Sequence, residues 1–187
     1  MTDTTTAGAE RELTREQRFI RRLAAAHASR TIGALMNWHP GVIDARVIAL
    51  TQDADETEYT PWGLTGKAFA VFHSGLRDVR YGYAGTGIGS WARRVDADPV
   101  AVERLIATLA RAQTPLDLDR ALTALARMNP RSPRFSPHWH TVLDELIGWA
   151  DPTRRDQVRF TWARDYYTYT PPAATPGATG RGANDDC

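Results

Sequence analysis

The side chains of this sequence best suited to chemistry are arginines, and that chemistry is charge-assisted hydrogen bonding to oxyanions. Arg15, Arg18 and Arg22 follow one another at intervals of three and four, with Arg11 four residues ahead. On a helix these four fall within an arc of roughly 60°. Arg93 and Arg94 are adjacent. Arg104 and Arg111 lie seven apart and opposite the apolar stripe of Val102, Leu105, Ile106 and Leu109. Arg120 and Arg127 repeat that layout opposite Leu118, Leu122 and Leu125, and Arg131 and Arg134 carry the basic run into the following loop. Arg154 and Arg155 open a last helical pattern, where the positive end of the helix dipole disfavours cations unless an anion compensates. Two readings stand: a solvated face with local ion pairs, or contact with phosphate, which is sequence-blind and releases counterions. The stretch from Arg120 to Arg134 has no acid of its own and favours phosphate.

Catalytic residue types do not assemble in the same way. His138 and His140 flank Trp139, a spacing that on a helix sends them to different faces, and no third ligand is evident. His27, His39 and His73 are isolated and read as core-edge or surface histidines. Cys187 is the single cysteine, so neither a disulfide framework nor a cysteine zinc site can be built. A reducing, cytoplasmic setting fits. Gly85, Gly87 and Gly89 suggest a phosphate loop only superficially. They lack a preceding strand and the Lys-Ser/Thr of a P-loop, so they read as a flexible loop feeding the helix of Trp91. Tyr81 and Tyr83 beside Arg77 and Arg80 suit base stacking or simple anchoring of an exposed loop. No catalytic set, metal or cofactor is expected. A histidine-dependent hydrolase using His138 or His140 is the enzymatic rival.

The elements that must position these arginines are helices. Five times a short polar residue precedes a proline and an apolar helical pattern follows: Thr60-Pro61, Asp98-Pro99, Thr114-Pro115, Ser136-Pro137 and Asp151-Pro152. The polar oxygen accepts from an orphan N–H of the first turn, and proline there gives up a donor that had no partner. Thr14 with Gln17 has the form of a capping box. Val142, Leu143, Leu146 and Ile147 continue the periodicity after Pro137, while Pro61 to Ser74 is mostly apolar. The last helix, Pro152 to about Tyr167, carries two apolar stripes: Val158, Trp162, Tyr166, and Phe160, Ala163, Tyr167. A helix apolar on two faces is central or shares a face with a partner. No period-two strand is evident. The expectation is an all-α, compact bundle of about seven to eight helices over 11–168, as one body or as two sub-bundles, 11–95 and 96–168. Disordered ends, 1–10 and 169–187, flank it.

The 187 residues suffice for a hydrophobic core, and no apolar run is long enough to span a membrane. The net charge of +1 argues against a generic nucleic-acid binder when taken whole, but the charge is segregated. Residues 11–50, 67–94 and 120–134 are each net +4, whereas 51–66 is net −4 and 95–119 net −3. Lys67 is the only lysine, so 22 of the 23 basic residues are arginines. Codon bias or a use for planar, bidentate donors explains that equally well.

The C-terminal third carries a family pattern. Phe135, Trp139, Leu143-Asp144-Glu145-Leu146, Trp149, Pro152, Arg155, Gln157 and the closing Trp162-Ala163-Arg164-Asp165-Tyr166-Tyr167 resemble the CasB family. These proteins are the small subunits of Cascade, the type I-E CRISPR surveillance complex. Val102-Glu103-Arg104-Leu105 and Leu118-Asp119-Arg120-Ala121-Leu122 resemble the two preceding helices, and Gly87 to Val95 the glycine-then-basic helix more loosely. The resemblance runs from about Trp62 to Tyr167. It implies an all-α protein without enzymatic activity. Two copies would sit in a crRNA-containing complex, touching the backbone and large subunits and both the target and displaced DNA strands of the R-loop. With it, Arg93, Arg94, Arg120, Arg127, Arg131, Arg134, Arg154 and Arg155 become the expected nucleic-acid contacts, with Arg15, Arg18 and Arg22 an additional stripe. No membrane contact is expected. The alternative is a stand-alone all-helical DNA-binding regulator.

Overall fold

Thr14 opens helix α1 (Arg15–Ala28) with a complete capping box: its hydroxyl accepts from the Gln17 amide, and the Gln17 side chain accepts from the Thr14 amide. The helix buries Phe19, Ile20, Leu23 and Ala26 on one face. It ends with Thr31 N–H donating to Ala26 C=O and Arg30 N–H to His27 C=O. This closure places Arg30 in the left-handed region, φ 59°, where glycine is usual and a Cβ costs roughly 1 kcal/mol. The computed structural model describes residues 13–82, 84–128 and 135–168. Among them are nine helices and no strand, close to the seven or eight expected. The ends expected to be disordered, 1–10 and 169–187, lie outside these residues.

The two short helices, α2 (Gly33–Asn37) and α3 (Ala45–Leu50), carry too few turns to show a period. Helix α4 (Tyr59–Phe72) is buried on nearly every face and packs against α1, α2, α7 (Pro115–Arg127) and α8 (Trp139–Ala150). It begins ahead of the expected Thr60-Pro61 start, and Glu58 at its head caps nothing because Arg15 holds its carboxylate. Two of the other starts also shift. Ser136 donates its hydroxyl to Arg80 C=O, leaving His138 as the residue before α8. Asp151 accepts from the amide and hydroxyl of Thr153, so Pro152 sits in a turn and α9 (Arg155–Thr168) follows it. The starts at Asp98 and Thr114 stand as read, heading α6 (Pro99–Arg111) and α7.

Buried residues from Phe19 to Tyr166 form one contiguous core. Helix α9 presents Val158, Trp162 and Tyr166 to it. Its second apolar stripe is largely uncovered, with Phe160 66% and Tyr167 64% exposed. Helix α5 (Ile88–Arg93) crosses α9 at backbone contact, since a Cβ on Gly89 would fall 2.3 Å from Trp162 C=O. The glycine-rich segment is therefore packed at Gly87 and Gly89 rather than a free loop. Glu145 of α8 joins the three helices, accepting from Ile88 N–H at 2.8 Å and Trp162 Nε1–H at 3.0 Å. Lys67, the lone lysine, is not a surface cation. It pairs with the buried Asp119 at 2.8 Å and ties α4 to α7.

Candidate nucleic-acid interface

Helices α6 and α7 are joined by only three residues, 112–114, and pack on each other as a hairpin. The turn is set by Thr114, whose hydroxyl accepts from the Asp117 amide while the Asp117 carboxylate accepts from the Thr114 amide and hydroxyl. Those bonds from Thr114 hold the Asp117 carboxyl below the usual carboxylate range. Because each helix buries its leucine and valine stripe, the opposite faces turn to solvent together. Arg104 and Arg111 of α6 and Arg120 of α7 line one groove of about 570 Å³. Arg127 stands exposed at the far end of α7, outside the groove. Among the described residues no carboxylate lies within 4.0 Å of any of these four guanidinium groups. Such a row is free to take phosphate oxygens at little cost in broken ion pairs.

The other arginines separate by environment. Arg93 is exposed at the end of α5, in a hollow shared with Glu103 and Tyr167. Arg94 is half-buried, its guanidinium 4.3 Å from the centre of the Phe135 ring. Arg154 and Arg155 are adjacent in sequence but diverge. Arg155 donates from Nε to Trp149 C=O at 2.9 Å and lies 4.8 Å over the Trp149 ring. The negative C-terminal end of α8 thus offsets the dipole of α9 without an external anion. Arg154 is exposed beside Asp144 at a hollow between α8 and α9. Arg131 and Arg134 lie outside the described residues.

The α1 stripe has its partners inside the molecule. Arg15 grips both oxygens of Glu58 at 2.7 and 2.6 Å, with Glu16 at 2.7 Å. Arg22 pairs with Asp53 at 2.8 Å and donates to Leu50 C=O, and Arg18 reaches Asp53 at 3.4 Å. The acidic block 51–66 therefore lies against the first basic block. The sequence sets two blocks of equal and opposite charge side by side, but it does not say which residues pair.

The histidines also differ from their sequence reading in two places. His138 and His140 do not point to different faces: their ring centres are 5.0 Å apart, because His138 precedes α8 rather than lying within it. Burial holds both below the ordinary imidazole value. Among the described residues no cluster of three histidine, cysteine, aspartate or glutamate side chains is arranged to hold a metal. His73 is fully buried, not at the core edge. Its Nε2 accepts from Arg80 N–H at 2.9 Å, so Nδ1 carries the proton and donates to Phe69 C=O at 2.8 Å. Burial pushes its pKa down to about 4. Tyr81 is exposed, and Tyr83 lies outside the described residues.

Comparison with known proteins places this architecture. The crystal structure of CasB from Thermobifida fusca superposes with a TM-score of 0.59 at 18% identity, covering 82% of this chain and 95% of that one. M. ruber CasB superposes with a TM-score of 0.55 at 20% identity, covering 83% and 94%. At these identities the likeness is one of fold. No curated protein matches the chain. The family model for CRISPR-associated protein Cse2 matches residues 4–167, extending the likeness well ahead of Trp62. With that match and the CasB-like closing motif of α9, the chain belongs to the CasB/Cse2 family of CRISPR-associated proteins.

Proposed function

We propose that the chain is a non-catalytic, cytoplasmic small subunit of a type I-E Cascade and holds DNA strands of the R-loop through the exposed arginines of α6 and α7. Family membership supports the complex. The observation that carries the DNA contact is the convergence of Arg104, Arg111 and Arg120 on one groove whose lining carboxylate, Asp117, is bound to Thr114, with no carboxylate among the described residues within 4.0 Å of the three. Exchange of a DNA duplex for an RNA–DNA heteroduplex is nearly balanced in free energy, so a few phosphate contacts tip it. Such contacts leave sequence readout to base pairing. Arg93, Arg127 and Arg154 extend the reading as exposed cations. Arg131 and Arg134 join it on sequence grounds alone. Arg94 and Arg155 are half-buried against aromatic rings, and Arg155 spends its Nε–H on Trp149 C=O, so they contribute less than the exposed arginines. The stripe of Arg15, Arg18 and Arg22 contributes least, since each has an acidic partner. The remaining faces serve contacts with the backbone and large subunits and with a second copy of the chain.

The test is charge reversal. A reconstituted complex carrying Arg120→Glu and Arg127→Glu should assemble normally and lose R-loop yield about tenfold at moderate salt, the effect of roughly 1.4 kcal/mol of lost contact. Unchanged yield overturns the reading. Tight binding of one defined duplex by the isolated chain, with a large specificity ratio, would favour the stand-alone regulator instead.

A further inference from the structure

A hollow of about 780 Å³ lies where the end of α1, helix α2 and the end of α4 meet. Its rim carries Arg30 and Arg77, both exposed. Among the described residues neither has a carboxylate within 4.0 Å, and no acidic side chain lines the hollow. Its apolar lining is Ile32, Met36, Ala70 and Leu76. His27 on the wall is engaged with Leu76 C=O at 3.1 Å and holds that lining in place. Arg30 occupies the left-handed position closing α1, which glycine would fill without strain. A long cationic side chain stands there in spite of the backbone, at the lip of an acid-free hollow.

Two unpaired guanidinium groups over an apolar floor match a ligand with an anion at one end and a flat apolar ring at the other. A duplex keeps its rings stacked inside and would meet only the rim. A peptide fits only if it sets a carboxylate and an aromatic side chain at that separation, and unchanged oligo-dT affinity of the rim variant below would point to it. We propose that this hollow seats one unpaired nucleotide of a nucleic-acid strand, its phosphate between Arg30 and Arg77 and its base against Met36 and Leu76. The inference rests on the reading that the chain works on nucleic acid, but it assigns a different surface and a base-sized seat. Stacking or packing of a base on such a floor is sequence-tolerant.

The experiment uses the full chain at low salt and fluorescence anisotropy with a short oligo-dT strand, the same strand with abasic sites, and a duplex of equal length. The variant is Arg30→Gly with Arg77→Ala. The first change suits the left-handed backbone, so the variant should unfold at a temperature no lower than the parent. The expected result is at least a fivefold loss of oligo-dT affinity, with weaker binding of the abasic strand by the parent to a similar degree. The duplex should lose less. A strand carrying 5-iododeoxyuridine should crosslink to residues 32–36 or 73–77. Unchanged oligo-dT affinity, equal binding of oligo-dT and abasic strands, or a photo-crosslink that falls only outside residues 32–36 and 73–77 overturns the inference. Arg120→Glu with Arg127→Glu separates the two readings. If it weakens binding and the rim variant does not, the seat fails alone; if neither weakens binding, nucleic-acid recognition fails with it.

Discussion

Glu145 and His73 show how a single buried group sets pH behaviour here. Burial pushes the Glu145 carboxyl up to about 7, against the opposing pull of its bonds from Ile88 N–H and Trp162 Nε1–H. A raised native pKa stabilises fully below the unfolded value of about 4.3 and loses that contribution as pH rises through 7. His73 has the opposite sign. Its depressed native pKa gives stability above the unfolded value of about 6.5 that is lost as pH falls through about 4. That term is worth about 3 kcal/mol. The two windows overlap and offset each other in the parent. Glu145→Gln keeps an acceptor for both donors and removes one titration. Its unfolding free energy from urea titration should exceed the parent's at pH 8 by about 1–3 kcal/mol, and then fall on acidification toward pH 4.5 more steeply than the parent's. Parallel profiles would show that Glu145 is not the titrating group. Neither shift is legible in the sequence, where Glu145 is one of two adjacent acids in the Leu143-Asp144-Glu145-Leu146 motif and His73 an isolated histidine.

At the scale of elements, the legible helices are those with a cap and several turns. Helices α1, α6 and α7 begin at the capping residues their sequences display. Helices α2 and α3 have five and six residues, and their order comes from packing, α2 against α4 and α3 against α1 and α2, rather than from a period. Asp151-Pro152 and Ser136-Pro137 carry the same local signal as the true starts, but tertiary hydrogen bonds redirect Ser136 and a local turn claims Asp151. The α5–α9 crossing depends on Gly89, whose missing Cβ lets the two backbones touch. Gly89→Ala should cost about 2–3 kcal/mol, because a backbone carbonyl cannot move aside as a side chain could. Thermal unfolding measures it, and Thr114→Ala provides a scale, with an expected loss of about 1 kcal/mol from the α7 capping box. A Gly89→Ala protein as stable as the parent would mean that the helices separate freely.

For the whole molecule, the distribution of charge governs the outcome rather than its sum. The α1 stripe of the first basic block, Arg15, Arg18 and Arg22, is neutralised against the acidic block that follows it, and Lys67 is locked to Asp119. The α6–α7 row therefore provides a larger unpaired share of the field than block sums suggest. If Arg104, Arg111, Arg120 and Arg127 each meet a phosphate, the logarithm of duplex affinity should fall with the logarithm of salt at a slope of roughly −3 to −4. Arg120→Ala with Arg127→Ala should reduce the magnitude of that slope by about two. A slope unaffected by these changes would place the phosphate contacts elsewhere.

The amino-acid sequence by itself determines the helical class, the caps of α1, α6 and α7, the inward stripes, and the family through the motif ending at Tyr167. These features depend on neighbours within a turn or two, so spacing suffices to read them. Tertiary structure alone decides which arginines are free. Arg15 and Arg120 look alike in sequence, yet one meets Glu58 across 43 residues of chain and the other meets no carboxylate among the described residues. It also joins Arg30 to Arg77 across an apolar floor. Pairing between distant charges is set by how helices pack, and no local pattern encodes that.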